Sequence, residues 1–356
     1  MTTAAGIFSA KLWPFTSRAL APAPMTRITD QLNFGPVLDI AARSAASISK
    51  LQVPENQDNL LLIDADGHAV LLHDQAPQTI RLSGWPQGHV RLAVLDGMGG
   101  HGHGREAAEA VAAGLLRVPA CGTPEQLATH LDQLHHDLQA SFSRPDDQDT
   151  FRRPGTTLTL LEIPPGLPPL LFHAGDSRLY EITAHDAHPL TVDHVPATAF
   201  AMHGLLGEEE WWQQVHGEHR AQISQAYILG NAFANPQILD NALLPLDASN
   251  LPPFLHRLAD RRVLQVRADA TYLLATDGFW SCARPQAWIQ RWPALLGHAG
   301  GAAAALDALF DDYAHNPPPQ LHIDNLSAIA IRFGASASAG NIDETALPAA
   351  PIPSHF

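Results

Sequence analysis

A chain of 356 residues with 46% apolar content is long enough for one sizeable hydrophobic core. Its 21 basic against 36 acidic residues leave a formal charge of −15, which argues against nucleic acid or a membrane surface as the main partner, since both demand basic patches. The two cysteines, Cys121 and Cys282, are too few for a disulfide framework and fit a reducing, cytoplasmic setting, and no run of roughly 18 apolar residues offers a transmembrane helix.

Residues 1–35, rich in Ala and Pro, read as a flexible N-terminal extension. Apolar runs at 60–63 and 70–73 read as strands joined in a hairpin at Asp66-Gly67, and 90–95 reads as a third strand. Residues 105–118 are Ala-rich and stop before Pro119. Residues 124–142 place Leu127, Leu131, Leu134 and Leu138 on one stripe, so both segments read as helices. Strands at 157–163 and 169–174 flank a Pro164-Pro165-Gly166 turn, and 179–183 follows. Residues 195–225 carry few strand signals but hold the acidic run 208–210 and the pair Trp211-Trp212. Runs at 226–229, 263–266, 272–275 and 327–333 read as strands, and 285–296 with 302–315 as a second helix pair. The tail 334–356 is small, polar and Pro-bearing, the composition of a disordered segment. The pattern predicts a single α+β domain over 36–333. Its architecture is a four-layer αββα sandwich, two antiparallel sheets flanked by helix pairs.

Four aspartates stand at the ends of apolar runs, beside glycine or another small residue. They are Asp96 in RLAVLDGMGGHGHG, Asp176 in LLFHAGDSRLYEI, Asp277 in TYLLATDGFW and Asp324 in LHIDNLSAIAIRF. Any one alone is an ordinary turn residue, and Asp176 has Arg178 as a ready partner. Together, carboxylates converging from several strand ends make a hard oxygen cage for magnesium or manganese. Such a cage suits phosphate chemistry, because a phosphate monoester is a dianion that repels hydroxide. Two cations about 3.5–4 Å apart neutralise that charge, one carboxylate can hold both, and water between them becomes a nucleophile near neutral pH. Gly97 lets the backbone carbonyl approach a cation without a side-chain clash.

The segments LAVLDGMGGHGHGREAAEAV, PGTTLTLLEI, FHAGDSRLYEI, LTVDH, YLLATDGFW and DNLSAIAIRF, in this order, resemble the type 2C metal-dependent protein serine/threonine phosphatases in their bacterial form. The resemblance runs from about Asn56 to Phe333. It implies hydrolysis of phosphoserine and phosphothreonine in proteins by a metal-activated bridging water, with two Mn2+ or Mg2+ ions. By the resemblance Asp96 bridges both ions, the Gly97 carbonyl binds one, and Asp277 and Asp324 complete the shell of the other. Asp58 matches the aspartate of an early Asn-Glu-Asp motif that supports metal-bound waters, and Asp176 matches a ligand of a third ion. Thr156 and Thr157 match a structural segment that opens a strand. Residues 195–225 correspond to a variable flap beside the metals. The implied partner is a phosphoprotein, a bacterial Ser/Thr kinase or its targets.

The chain departs from the family at several places. Val53 stands where an arginine grips the substrate phosphate, which leaves Lys50 or Arg43 as substitutes; a lysine there offers a point charge without the bidentate fork. Gln57 stands where a glutamate is common, and Ser281 where a further aspartate often stands, which puts the third ion in question. The position of a histidine general acid is Met98, and His101 or His103 is the nearby proton donor. Two other readings remain at this point. One is a non-catalytic phosphatase-like binding or regulatory module. The other is a zinc hydrolase with an HxHxDH motif, against which HGHGRE places Arg105 and Glu106 where Asp and His are needed.

Overall fold

The computed structural model describes residues 28–46, 55–98, 103–142, 153–218, 220 and 222–334. Strands β1 (Leu38–Ala45), β2 (Asn59–Ile63), β3 (His68–His73), β4 (Ala76–Arg81), β5 (Val90–Leu95) and β6 (Gly97–Met98) precede helices α1 (Gly104–Leu115) and α2 (Pro124–Phe142). Then come β7 (Gly155–Thr156), β8 (Leu158–Ile163), β9 (Leu170–Ala174), β10 (Arg178–Ile182) and β11 (Ala187–Pro189). Helices α3 (Pro196–Met202) and α4 (Glu208–Trp212) run into a π-helical turn, Gln213–Gly217. The chain ends through β12 (Gln225–Ala226), β13 (Gly230–Asn231), β14 (Arg261–Val263), β15 (Thr271–Ala275), α5 (Pro285–Ile289), α6 (Trp292–Leu296), α7 (Ala302–His315) and β16 (Leu326–Phe333).

Two antiparallel sheets form the centre, ordered β1-β16-β15-β10-β11 and β14-β9-β8-β5-β2-β3-β4. Strand alternation sorts their side chains into layers. Leu60, Leu62, Leu92 and Val94 meet Leu274, Ile329 and Ile331 between the sheets. Leu61, Ile63, Ala93 and Leu95 face outward onto α1 and α2. On the other sheet Ala41, Ala275, Ala328 and Ala330 lie under α7; these small side chains let the helix sit close. With both faces covered, the central strands are buried along their whole length, and the charged residues within them, Arg91 and Glu162, pair with each other. The expected αββα sandwich is the observed one.

Several expectations are corrected. Residues 285–296 form two short helices, because Pro293 occupies the first turn of α6, where a missing N–H costs nothing. Of residues 226–229 only Ala226 lies in a strand, β12, and 227–229 turn the chain into β13, with Ile228 at φ +73°. The sequence reading had no counterpart for β1, β4 or β11. The folded chain also begins before residue 36. Ile28, Leu32 and Phe34 pack into the inter-sheet core, and the Asn33 N–H donates to Asp64 at 2.8 Å. The expectations for residues 1–27 and 335–356 lie outside the described residues. No described helix is long and apolar enough to cross a membrane.

Between β11 and β12, α3 and α4 build a small core of their own around Trp211, which is fully buried with Val192, Ala201, Val215, Phe233 and Leu246. The Trp211 Nε1–H donates to Thr198 Oγ1, which in turn donates to the Asp193 carbonyl. Trp211 is therefore an anchor of this segment.

Candidate metal centre

Five aspartates predicted from sequence arrive at one end of the sandwich from separate loops. Asp96 follows β5, and its backbone is clamped: its N–H donates to Thr157 Oγ1 at 2.9 Å, and the Thr157 N–H donates back to the Asp96 carbonyl at 2.8 Å. Asp58 precedes β2 and is buried; the Thr276 hydroxyl donates to its Oδ2 at 2.9 Å. Asp277 opens the turn after β15, where the Trp280 and Ser281 N–H groups close onto its carbonyl. Asp324 precedes β16, is exposed, and accepts the Asn325 N–H at 2.8 Å. Asp176 sits in the turn between β9 and β10.

The electrostatics show that these groups share one space. Burial pushes the Asp96 carboxyl well above the carboxylate range, and the charges of Asp277, Asp58, Asp324 and Asp176 push it further. Burial raises Asp58 to about 8 against the hydrogen bonds from Ser327 and Thr276, with Asp324 and Asp277 adding to the rise. Asp277 is raised by burial and opposed by its hydrogen bond with Asp96. Asp176 is raised by burial and by Asp277 and Asp193. Carboxyls that crowd this way hold protons against one another, and hard divalent cations suit the same oxygen donors. The donor set therefore fits a magnesium or manganese centre.

Gly97 is required by close approach. A Cβ there would collide with the Gly104 carbonyl oxygen and lie 2.5 Å from that of Gln57. Those atoms are backbone at the start of α1 and ahead of β2, so they cannot move aside cheaply. Gly97→Ala is expected to lower the thermal midpoint, and a wild-type midpoint in a melting scan would refute this.

A second acidic group lies elsewhere. Among the described residues, the set whose ligand atoms all fall within 4.8 Å of one another is Asp64, Asp66 and His68 at the β2–β3 turn. The Asp96 cluster is more open than that. In the turn, Asp64 Oδ1 accepts the Asp66 and His68 N–H groups, and Asp66 accepts from Asn33 Nδ2 and Gln87 Nε2. These bonds explain the turn without an ion.

Other expectations meet different outcomes. Arg43, one of the two substitutes read for the absent arginine, is engaged within the fold. It lies on the helix-facing side of β1, with its guanidinium carbon 4.2 Å from the Phe310 ring centre and an Nη 4.0 Å from Asp307. Lys50, Val53 and His101 lie outside the described residues. His103 is exposed ahead of α1, 3.8 Å from Glu106. Arg178 pairs with Asp193, not Asp176: Nε and Nη2 contact both Asp193 oxygens, Nη1 donates to the Tyr180 hydroxyl and Nη2 to the Val215 carbonyl. It thereby ties β10 to the π-helical turn.

The sequence reading missed Thr276, beside Asp277, and Asn325, beside Asp324. Asn325 Oδ1 accepts the Gln57 N–H at 2.8 Å, and its Nδ2 donates to the Ala46 and Glu55 carbonyls. It stitches the loop before β2 to the loop before β16. A cavity of about 70 Å³ opens beside Asp176, lined also by Asp193, Phe200, Arg220 and Trp280.

This architecture is the fold of the bacterial type 2C, or PPM, serine/threonine phosphatases. Stp1 from Staphylococcus aureus, a serine/threonine phosphatase, matches with a TM-score of 0.55 at 17% identity, over 85% of this chain and 97% of that one. The catalytic domain of the serine/threonine protein phosphatase PstP, in complex with two manganese ions, matches at 0.51 and 20% identity over 84% and 99%. The PPM phosphatase MsPP from Mycobacterium smegmatis, in complex with cacodylate, matches at 0.50 and 19% identity over 84% and 100%. No protein-family model matches the chain. No curated protein matches it either.

Proposed function

We propose that this protein is a metal-dependent phosphatase that removes phosphate from phosphoserine or phosphothreonine in proteins. The observation that carries the reading is the convergence of Asp58, Asp96, Asp176, Asp277 and Asp324 from five separate loops onto one half-buried space. Asp96, the Gly97 carbonyl, Asp277 and Asp324 would hold two cations, with Asp176 available to a third. The two manganese ions of the PstP catalytic domain favour manganese, and the all-oxygen donors accept magnesium as well. Bound cations supply charge neutralisation for the phosphate dianion and make water acidic enough to react near neutral pH.

The chain's own groups set the geometry. Thr157 fixes the backbone of Asp96, and Thr276 fixes the carboxylate of Asp58. Without cations, burial raises the Asp58 carboxyl to about 8; bound cations would favour its charged form, which can accept hydrogen bonds from metal-bound water. Arg178, paired with Asp193, holds the π-helical turn at Val215 near Asp176, where it would meet a protein substrate. We place the catalytic domain at 36–333, preceded by the folded residues 28–35, and the protein in the cytoplasm acting on a Ser/Thr kinase or its targets.

A phosphopeptide assay tests the reading. Phosphate release with manganese and none with a chelator is expected. Release that a chelator leaves undiminished, or no release with manganese, would overturn it.

A further inference from the structure

Three buried side chains, His194, Gln225 and Asp260, meet behind the turn that presents Asp176. His194 grips Gly175 at two points. Its own N–H donates to the Gly175 carbonyl at 2.9 Å, and the Gly175 N–H donates to His194 Nδ1 at 3.2 Å. Gln225 Nε2 donates to the same ring nitrogen at 3.0 Å. Leu244 orients the Gln225 amide: its N–H donates to Oε1 at 2.6 Å, and its carbonyl accepts from Nε2 at 3.0 Å.

Two N–H groups pointing at Nδ1 make that nitrogen an acceptor, so the ring proton stands on Nε2. Nε2 makes no hydrogen bond among the described residues and lies 3.5 Å from Asp260 Oδ2. That oxygen also accepts the Leu246 N–H at 3.0 Å. Asp260 thus faces the side of the ring that carries the proton.

The turn itself needs outside support. Gly175 has φ +123°, and a Cβ there would lie 2.6 Å from the Cβ of Thr157. Two residues on, Ser177 Oγ shares a 2.7 Å hydrogen bond with Thr157 Oγ1, the atom that accepts the Asp96 N–H. A contiguous chain therefore runs from Asp260 through His194, the turn 175–177 and Thr157 to Asp96.

We propose that His194, held as its Nε2–H tautomer between Gln225 and Asp260, is a positioning residue that sets the turn 175–177 and thereby where the Asp176 and Asp96 carboxylates stand. This rests on the reading of the carboxylate cluster as a metal centre. His194 touches neither carboxylate, and it acts through the Gly175 peptide.

Asparagine and glutamine separate its two ring nitrogens. An asparagine amide at this position falls near the place of Nδ1 and keeps an acceptor for the Gly175 N–H, whereas a glutamine amide falls near the place of Nε2. In calorimetric titrations of the full chain with Mn2+, His194→Gln is expected to weaken binding about tenfold or more. His194→Asn should stay near wild type, although both variants melt at a similarly lowered temperature. Equal weakening in both variants, or none in either, would overturn the proposal. Wild-type protein labelled with 15N-histidine supplies a readout that needs no variant: the His194 ring should be neutral with its proton on Nε2, and a proton on Nδ1 would overturn the proposal even if neither variant folds. A wild-type chain that binds no Mn2+ would overturn the metal-centre reading and this proposal with it, whereas equal shifts in the variants would leave the metal centre standing.

Discussion

Asp277→Asn is expected to cut manganese-dependent turnover by at least about a hundredfold at saturating metal, and Asp96→Asn by no less. The substitution keeps side-chain shape and removes one negative charge. The backbone at Asp277 is held by the Trp280 and Ser281 N–H groups and the Ser281 hydroxyl on its carbonyl, and an asparagine Oδ1 can still accept the Ser281 hydroxyl that lies 3.4 Å from the carboxylate. Asp96 is held in the same manner through Thr157. The thermal midpoint of metal-free Asp277→Asn should therefore match or exceed that of wild type, since a repelling neighbour of Asp96 has been neutralised. Activity lost while metal-free stability is kept distinguishes a ligand from a structural residue. Turnover near wild type in either variant would refute the assignment.

Stability of the metal-free protein should fall as pH rises through neutrality, and manganese should restore it. An acid whose folded-state pKa is raised binds its proton more tightly folded than unfolded, so it loses stability as pH climbs from the unfolded to the folded value. Asp58 moves from an ordinary 3.8 to about 8, and Asp96, Asp176 and Asp277 move in the same direction. The buried rings of His173, His194 and His216 work in the opposite sense. Their pKa values are lowered by burial, so stability from them rises with pH and is complete above their ordinary 6.5. The carboxylate effect thus dominates between about pH 7 and 8, with buried Asp260, raised to about 7, adding to its lower edge. Melting scans with chelator should show the midpoint declining across that window, and the gain on adding Mn2+ should grow across it. A midpoint that rises through the window with chelator present would refute the electrostatic picture.

Much of this was legible from sequence because the relevant signals are local. The run at 60–63 is apolar on both faces, and those at 90–95 and 327–333 are mostly so, as strands covered on two sides require. Each site aspartate adjoins such a run, so its place at the rim of a sheet followed. What escaped depends on distant residues. The sequence LDIAARSA is interrupted by Asp39, Arg43 and Ser44, and β1 exists because β16 pairs with it along its whole length. The strand β4 is almost entirely exposed and carries no burial pattern to read. Arg43 looked like a free cation, and nothing nearby in sequence foretold that Phe310 and Asp307 would engage it. Likewise Arg178 chose Asp193 over its near neighbour Asp176, because the turn aims Asp176 toward the carboxylate cluster while Arg178 points under the π-helical turn.

Anomalous diffraction from crystals grown with manganese tests the central claim most directly. Two manganese peaks about 3.5–4 Å apart are expected, with Asp96 between them and Asp277 and Asp324 beside one. Manganese bound only at the turn of Asp64, Asp66 and His68, or absent from the surroundings of Asp96, would contradict it.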